Sequence, residues 1–463
     1  MNRKVVVSAI LTFLLAVQLA PHPVAAQTLA NHATDPTVLK QLIIFGRHSV
    51  RSSAVPGSKL ATFAALPYPE FDVRTDFLTP RGAQAEILLG KYFRSYLLAE
   101  GLLTGHDRAD ARRSYFRSNS IQRSNITASS LAVGLLPDAT VPVHSYPLDQ
   151  PDPVFDPIAA NIVTLDTERA VQEVSGIFSG AALGPAFSSE FSLARSVLFN
   201  YPKGTQPDPP APAGLADPAG KGIPLTARIG NVQAGNVIDA GGLDDIVYAT
   251  DPFVMEYTNN MARRDVGWDQ LSLSEVSQLT RFITLAFSIE MTSPYLNEVQ
   301  SSNAAAHLLR SMEQAVRGRR VPGAFGTPRT NLLVIISSDA YVVGLAGLLH
   351  MHWLLPGYQQ DYAAPGGALV FELRQVRSTG EHIVRVYYTA QTFDQLRNLT
   401  PLTETQPPAT MQLLIPNGGQ PDASLDVTFG KFRDLLTNAI NPYFVQDPAD
   451  EVPPGPLTGV PLK

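Results

Sequence analysis

The sequence predicts an α/β protein whose sheet core, with helices on both faces, carries an inserted and mainly helical lobe. Short apolar or alternating runs typical of strands occur early and late, at 41–45, 113–117, 331–336, 368–373 and 382–388. The long stretch between the second and third runs has helical periodicity instead. A chain of 463 residues is long enough to build both a core and an insertion.

The inserted stretch contains recognisable helix signals. Ser272-Leu273-Ser274-Glu275 is a capping-box pattern, and apolar residues recur on one face after it, at 276, 279, 283 and 286. A second helix is predicted from about 303 to 316, and further helices lie around 168–197. We therefore predict a catalytic core formed by 34–150 and 320–445, with 151–319 as the inserted lobe.

The chain begins with the features of a secretory signal peptide, predicted over 1–26. Met-Asn-Arg-Lys precedes an apolar run from Val5 to Ala20, and Val24-Ala25-Ala26 forms a small-residue cleavage site before Gln27. An uncleaved anchor is the alternative, but the run is shorter than the roughly 20 residues that span a bilayer. We expect a periplasmic or secreted protein without stable membrane insertion after cleavage.

Composition limits the partners of this protein. Apolar residues make up 44% and charged residues 16%, which is a globular composition, although the proline-rich segment 202–224 and the tail 447–463 are predicted to be flexible. There is no cysteine, so no disulfide supports the fold. The formal charge of −6 becomes −8 when Arg3 and Lys4 are removed, which argues against a nucleic-acid partner. The sequence predicts no particular oligomeric state.

The first candidate site follows the first predicted strand. Gly46-Arg47-His48-Ser49-Val50-Arg51 places two guanidinium groups and an imidazole at the strand end, where open α/β sheets bind ligands. Arginine can bind phosphate oxygens in pairs, and a neutral imidazole nitrogen can attack phosphorus. A solvated loop with a chance histidine is the alternative for so short a motif.

Two further positions suit the same chemistry. Arg123 is predicted in the first turn of a helix, where free N–H groups and the helix dipole favour anions, although it could equally be an ordinary exposed arginine. Asp339 follows the predicted strand at 331–336 at a strand-to-helix turn. Its carboxyl group could protonate a leaving alkoxide or could simply cap the helix.

The order and spacing of these motifs resemble those of a known family. Arg47-His48-Ser49-Val50-Arg51 resembles the Arg-His-Gly-x-Arg-x-Pro signature of histidine acid phosphatases, which form branch 2 of the histidine phosphatase superfamily, and Ser338-Asp339 stands where that family has His-Asp. The resemblance extends from Leu39 to about Tyr443 and is weakest in the inserted block. The segments that also carry it are 78–90, 117–123, 134–137 and 387–398, and of these 119–123 and 395–398 are most similar to the periplasmic glucose-1-phosphatase branch.

The resemblance implies a phosphoglycerate-mutase-like α/β core and a double displacement on a small phosphomonoester, such as a sugar phosphate or an inositol phosphate. It implies that His48 attacks phosphorus, that Asp339 protonates the departing alcohol, and that water then hydrolyses the phosphohistidine. Arg47, Arg51 and Arg123 are expected to bind the phosphoryl oxygens. No metal and no cofactor are needed in this scheme.

One departure from the family pattern affects the expected activity. Ser338 replaces the histidine before the acid, so a phosphate contact that can be cationic becomes a hydroxyl that can only hydrogen-bond. Losing one such donor typically costs on the order of 10²-fold in rate. A non-catalytic protein that binds phosphorylated ligands is therefore the alternative to an enzyme, and altered substrate choice is a third possibility.

Overall fold

The structure, a computed structural model, describes residues 35–177, 186–200, 228–229, 238–239, 243–418 and 424–446. The predicted signal peptide, the proline-rich segment 202–224 and the tail from 447 lie outside these residues.

A mixed sheet of eight strands forms the centre of the molecule, in the order β10-β8-β7-β1-β6-β2-β3, with β9 also paired to β8. Strands β1, β6, β2 and β3 run parallel, whereas β7 to β10 are joined in antiparallel pairs. The strands are β1 (Thr37–Arg47), β2 (Ser114–Ser118), β3 (Val143–His144), β6 (Leu332–Ser337), β7 (Ala368–Val376), β8 (His382–Ala390), β9 (Ala409–Gln412) and β10 (Val427–Thr428). A separate pair consists of β4 (Arg228–Ile229) and β5 (Ile238–Asp239).

Helices surround this sheet and build the inserted lobe. They are α1 (Gly57–Leu60), α2 (Pro80–Ala99), α3 (Asp107–Ala111), α4 (Gln122–Leu135), α5 (Thr167–Ile177), α6 (Ser188–Leu198), α7 (Leu243–Thr258), α8 (Leu273–Leu279), α9 (Arg281–Glu290), α10 (Pro294–Arg317), α11 (Asp339–Leu348), α12 (Phe393–Asn398) and α13 (Phe429–Ala439). Short 3-10 turns occur at 263–265, 267–269 and 442–444. Among the described residues, no helix is both long and apolar enough to cross a membrane.

The sheet is covered on both faces because its central strands are apolar on both sides. In β1, Leu42 and Ile44 pack with α2 and α4, whereas Ile43 and Phe45 pack with the cluster that contains α7, α10 and α11. Alternate side chains of a strand point to opposite faces, so a strand without polar alternation needs a layer on each side.

The predicted fold class is confirmed, and the fold also explains where the predicted elements differ in length. The capping box at Ser272 and Glu275 begins α8 as expected. Helix α10 starts nine residues before the predicted 303, at Pro294, and proline is favourable at the first helical position. The strands of the main sheet lie within 37–144 and 332–428, and the described part of 151–319 is mostly helical. The exact domain boundaries stay a prediction.

Candidate active site

The pairing of β1 with β6 joins two distant parts of the sequence at one sheet edge. The parallel register pairs Arg47 with Ser337, so both strands end at the same place. Beyond that point the N–H of His48 donates to the Ser337 carbonyl at 2.8 Å, and the His48 carbonyl accepts from Gly366 at 3.0 Å. The motifs at 47–51 and 337–339 therefore form one site.

The loop that carries His48 is held from below by the start of α2. The Thr79 N–H and hydroxyl both donate to the Val50 carbonyl, at 2.9 and 3.1 Å. A Cβ on Gly82 would lie 2.3 Å from that same carbonyl oxygen, so only glycine allows the approach. The Ser49 N–H donates to the Thr127 hydroxyl of α4 at 3.1 Å. The segment 78–82 thus has a physical role in fixing this loop.

His48 is buried and held in a single tautomer. Its Nδ1 lies 2.8 Å from the Ser49 carbonyl oxygen, which can only accept, so Nδ1 carries the proton and Nε2 carries the lone pair. Burial, together with the charges of Arg123, Arg47 and Arg51, holds the pKa of His48 well below its usual range. The imidazole is therefore neutral in the free site, as a nucleophile requires.

Arg47 connects the nucleophile to the candidate acid. Its NH1 donates to the Ala363 carbonyl at 2.5 Å, and its NH2 lies 3.0 Å from Asp339 Oδ2. Burial opposes the positive charge, but the carboxylate of Asp339 and the ring of Tyr362 raise the pKa of Arg47 above its ordinary value. Arg47 is thus a fixed cation.

Two carboxylates that sequence reasoning missed contact the other arginines. Arg51 NH2 lies 2.9 Å from Asp251 Oδ2, and Arg51 Nε lies 3.6 Å from Asp76 Oδ1. Arg123 NH1 donates to Asp76 Oδ2. Asp76 comes from a loop and Asp251 from α7 of the inserted lobe, and no motif in the sequence indicates either.

Ser338 and Asp339 lie at the start of α11. Ser338 is the N-cap residue, although its side chain makes no capping hydrogen bond, and Asp339 is the first helical residue. Asp339 Oδ1 accepts from the Ala340 N–H at 3.2 Å, which leaves Oδ2 beside Arg47. The six residues that the sequence predicted are therefore assembled around one point.

Next to this point is a cavity of about 360 Å³ whose wall includes Arg123 and Ser338. The wall combines apolar and polar groups, and its hydrogen-bond acceptors include Asn119, Asp149 and Asp156. Asn119 is 3% exposed, and its Oδ1 has no hydrogen-bond donor within the part of the chain that the structure describes. The cavity can accept hydroxyl donors close to the arginine cluster.

Two solved phytase structures have the same fold as this chain. A Hafnia alvei phytase in complex with tartrate superposes with a TM-score of 0.78 at 24% identity, covering 89% of this chain and 99% of that one. A Citrobacter braakii phytase superposes with a TM-score of 0.77 at 21% identity, covering 88% of this chain and 99% of its own length. These matches establish that the chain has the fold of these phytases. No family model matches the chain.

Curated relatives confirm the class that the motifs predicted, and with it the prediction of an enzyme. Phytase AppA of Escherichia coli is 25% identical over 439 residues, covering 90% of this chain and 95% of that protein. Over most of its length the chain is therefore similar to curated phosphatases, as the resemblance to histidine acid phosphatases predicted.

The curated relatives include glucose-1-phosphatases as well as a phytase. Glucose-1-phosphatases of Providencia rettgeri and Salmonella typhimurium are 21% and 23% identical, covering 84% and 87% of this chain and 89% and 92% of their own lengths. The similarity to glucose-1-phosphatase indicated by 119–123 and 395–398 is thus accompanied by a similarity to a phytase that is at least as high in sequence identity.

Proposed function

We propose that this protein is a secreted phosphomonoesterase that hydrolyses a small sugar phosphate or inositol phosphate through a phosphohistidine on His48, with Asp339 as general acid. The observation that carries the proposal is the state of His48. Its Nδ1–H is held by the Ser49 carbonyl, so the neutral Nε2 is available among three arginines.

In the first step, a bond forms between Nε2 of His48 and phosphorus while the bond from phosphorus to the ester oxygen breaks. Asp339 gives its proton to that oxygen, so the leaving group departs as an alcohol. In the second step, Asp339 takes a proton from water, the water oxygen attacks phosphorus, and the bond between phosphorus and His48 breaks. General acid–base assistance of this kind contributes typically about 10²- to 10⁴-fold.

The arginines supply donors for the transferred phosphoryl group. Within the described residues, Nε of Arg47, of Arg51 and of Arg123 is buried without a hydrogen-bond acceptor. Buried donors without partners are costly, and the oxygens of a phosphoryl group can satisfy them. Donors fixed before the reaction stabilise the developing charge without reorganisation.

The cavity beside Arg123 and Ser338 suits the leaving group. Its charged residues are Arg123, Asp149 and Asp156, so one cation faces two carboxylates. Carboxylates accept hydrogen bonds from hydroxyl groups and repel additional phosphates. We therefore propose that a leaving group with hydroxyls and few further phosphates is preferred, so that glucose 1-phosphate is a better substrate than inositol hexakisphosphate.

Secretion is proposed from the N-terminal sequence. Residues 1–26 have the basic start, apolar run and small-residue cleavage site of a signal peptide. Export to the periplasm of a bacterial host, with a mature chain that begins near Gln27, is the expected result. Amino-terminal sequencing of the exported protein tests it.

The activity is tested by phosphate release from p-nitrophenyl phosphate, glucose 1-phosphate and inositol hexakisphosphate, from acidic to neutral pH. We expect turnover by the wild type, and its loss in His48→Ala with the fold retained by circular dichroism. Rapid quenching in alkali, in which phosphohistidine survives, should trap the intermediate in the wild type alone. A folded wild type that binds phosphate without turnover would instead indicate a binding protein.

A further inference from the structure

The resting site already holds as much negative as positive charge. Arg47, Arg51 and Arg123 are matched by three carboxylates, which belong to Asp339, Asp251 and Asp76. With His48 neutral and all three carboxyl groups ionised, the formal charge of this cluster is zero, and it becomes +1 when Asp339 holds the proton that the first step of the reaction uses. A phosphate dianion that enters this cluster meets carboxylates already bound to the arginines that would hold the phosphate. Repulsion between the phosphate and these carboxylates disfavours binding.

Asp76 is more exposed than the other two carboxylates and lies in a loop, so its side chain can move away from the arginines. Its side chain is 36% exposed, compared with 11% for Asp339 and 6% for Asp251. Asp339 and Asp251 lie in helices α11 and α7, whereas Asp76 lies in the loop before α2. Its backbone has φ of 66°, a left-handed conformation that aspartate adopts only rarely.

Asp76 also contacts two of the three arginines at once. Its Oδ2 accepts from Arg123 NH1, its Oδ1 lies 3.6 Å from Arg51 Nε, and its main-chain carbonyl lies 3.4 Å from Arg123 NH1. Two carboxylate oxygens facing two guanidinium groups reproduce the arrangement that two phosphoryl oxygens require.

We propose that Asp76 is an internal competitor for the phosphate site, whose carboxylate occupies the anion position between Arg51 and Arg123 until substrate phosphate displaces it. This inference rests on the proposed function, since it assumes that these arginines bind the phosphoryl group. Asp76 is a positioning residue in this scheme: it sets the affinity for substrate and for product phosphate, and takes no part in bond making.

Protonation weakens the competitor. Burial raises the pKa of Asp76, although Arg123 and Arg51 oppose the rise, while Asp251 adds to it. Tyr248 of α7 also interacts with it. Below its pKa the neutral carboxyl no longer competes, so the handicap of the wild type should disappear as pH falls.

The test compares the inhibition constant of inorganic phosphate in the wild type and in Asp76→Asn, with p-nitrophenyl phosphate as substrate. Asparagine tolerates a positive φ, and Asp76→Gly is a second variant that fits the same backbone. Asp72→Asn, at an exposed site in the same loop, removes the same charge away from the arginines. We expect both Asp76 variants to bind phosphate about tenfold more tightly than the wild type. Asp72→Asn should bind phosphate as the wild type does.

Each outcome decides a separate question. The ratio of the wild-type to the Asp76→Asn inhibition constant should approach one at acidic pH, because Asp76 is then neutral. Ionisation of phosphate itself affects both proteins equally and cancels in that ratio. Unchanged or weaker phosphate inhibition in the Asp76 variants would mean that Asp76 only supports Arg123, and would overturn the inference while leaving the proposed function intact. If no variant bound phosphate by calorimetry, the proposed function would fail, and this inference with it.

Discussion

Ser338 occupies the position before the candidate acid where histidine acid phosphatases have histidine. Its side chain caps no helix N–H and borders the cavity beside Arg123. A histidine there could add a cationic donor to the phosphoryl oxygens, and one such donor is typically worth about 10²-fold in rate. The small serine instead leaves space beside the arginines.

We therefore expect Ser338→His to raise kcat for p-nitrophenyl phosphate by about tenfold or more. Ser338→Ala is the matched control, and it should lower kcat modestly because it removes only a hydroxyl. Steady-state kinetics at several pH values measure both. A Ser338→His enzyme no faster than Ser338→Ala would show that the site has adapted to a small residue at this position.

Asp339 can be tested through the leaving group. An alkyl alcohol needs a proton when it departs, whereas p-nitrophenolate is stable without one. Because Asp339 also acts as the base in the second step for every substrate, the comparison uses kcat/KM, which reports phosphoryl transfer to His48. Asp339→Asn should reduce kcat/KM on glucose 1-phosphate by about 10²-fold or more, and on p-nitrophenyl phosphate much less. Equal losses on both substrates would indicate that Asp339 acts mainly by holding Arg47, from which it lies 3.0 Å away.

The site residues that the sequence predicts and those that it does not predict are positioned by different parts of the fold. Arg47, His48 and Asp339 follow strands, and neighbouring parallel strands end at one edge, so their meeting could be predicted. Asp76 arrives through a loop with positive φ, and Asp251 through the docking of the inserted lobe. Neither arrangement has a signature in local sequence.

At the scale of elements, helix α2 links the fold to the site. Its first turn packs on the loop of His48 at Gly82, and its middle crosses α4 at Gly90 and Gly134. A Cβ on Gly134 would lie 2.3 Å from the Ile87 carbonyl oxygen, as close as a Cβ on Gly82 would lie to that of Val50. The two glycines are thus equally tight but differ in distance from the chemistry.

This equality gives a matched pair of substitutions. Gly82→Ala and Gly134→Ala should each cost about 1–3 kcal/mol of stability through overpacking. Only Gly82→Ala should also lower kcat/KM in the folded enzyme, since it shifts the Val50 backbone next to His48. Denaturant unfolding and kinetics at a temperature where both are folded separate the effects. Equal kcat/KM in the two variants would contradict a positioning role for α2.

The main strands were predictable because each is a continuous or alternating apolar run. Helix α2 was not predicted, although Leu89, Tyr92, Phe93, Tyr96 and Leu97 have the spacing of a buried helical face. The short strands β3, β9 and β10 could not be found locally, since two to four residues carry no periodicity and only their neighbours in the sheet define them.

At the scale of the whole molecule, buried carboxyl groups make stability depend on pH. Burial raises the pKa of Glu86 and of Glu256 to about 8, against opposing contacts from Ser49 and from the Gly267 N–H respectively. Both groups are neutral in the folded state at acidic pH. In the unfolded chain both groups have the ordinary glutamate pKa of 4.5, so their ionisation favours unfolding as pH rises from about 4.5 to 8.

Glu256→Gln should remove one such contribution while keeping an acceptor for the Gly267 N–H, which Glu256 Oε2 binds at 3.0 Å. Relative to this variant, the wild type should lose stability between pH 5 and 8 by roughly 1.4 kcal/mol per pH unit at most. Urea unfolding across that range measures the difference. Glu404→Gln, at an exposed position, is the control. Parallel dependence of the free energy of unfolding on pH for the wild type and Glu256→Gln would show that Glu256 is not neutral in the folded state.

The position of β1 between β6 and β7 has a consequence for synthesis of the chain. Leu42 pairs with Leu332, so β1 finds neither neighbour until almost 300 further residues have been made. At ribosomal rates of 5–20 residues per second this delay is roughly 15–60 s. During that time the apolar run Leu42–Phe45 of β1 has two open edges, and the arginines and His48 beside it have no Asp339. A nascent chain therefore carries an incomplete site, and its first strand stays unpaired until β6 and β7 have been made.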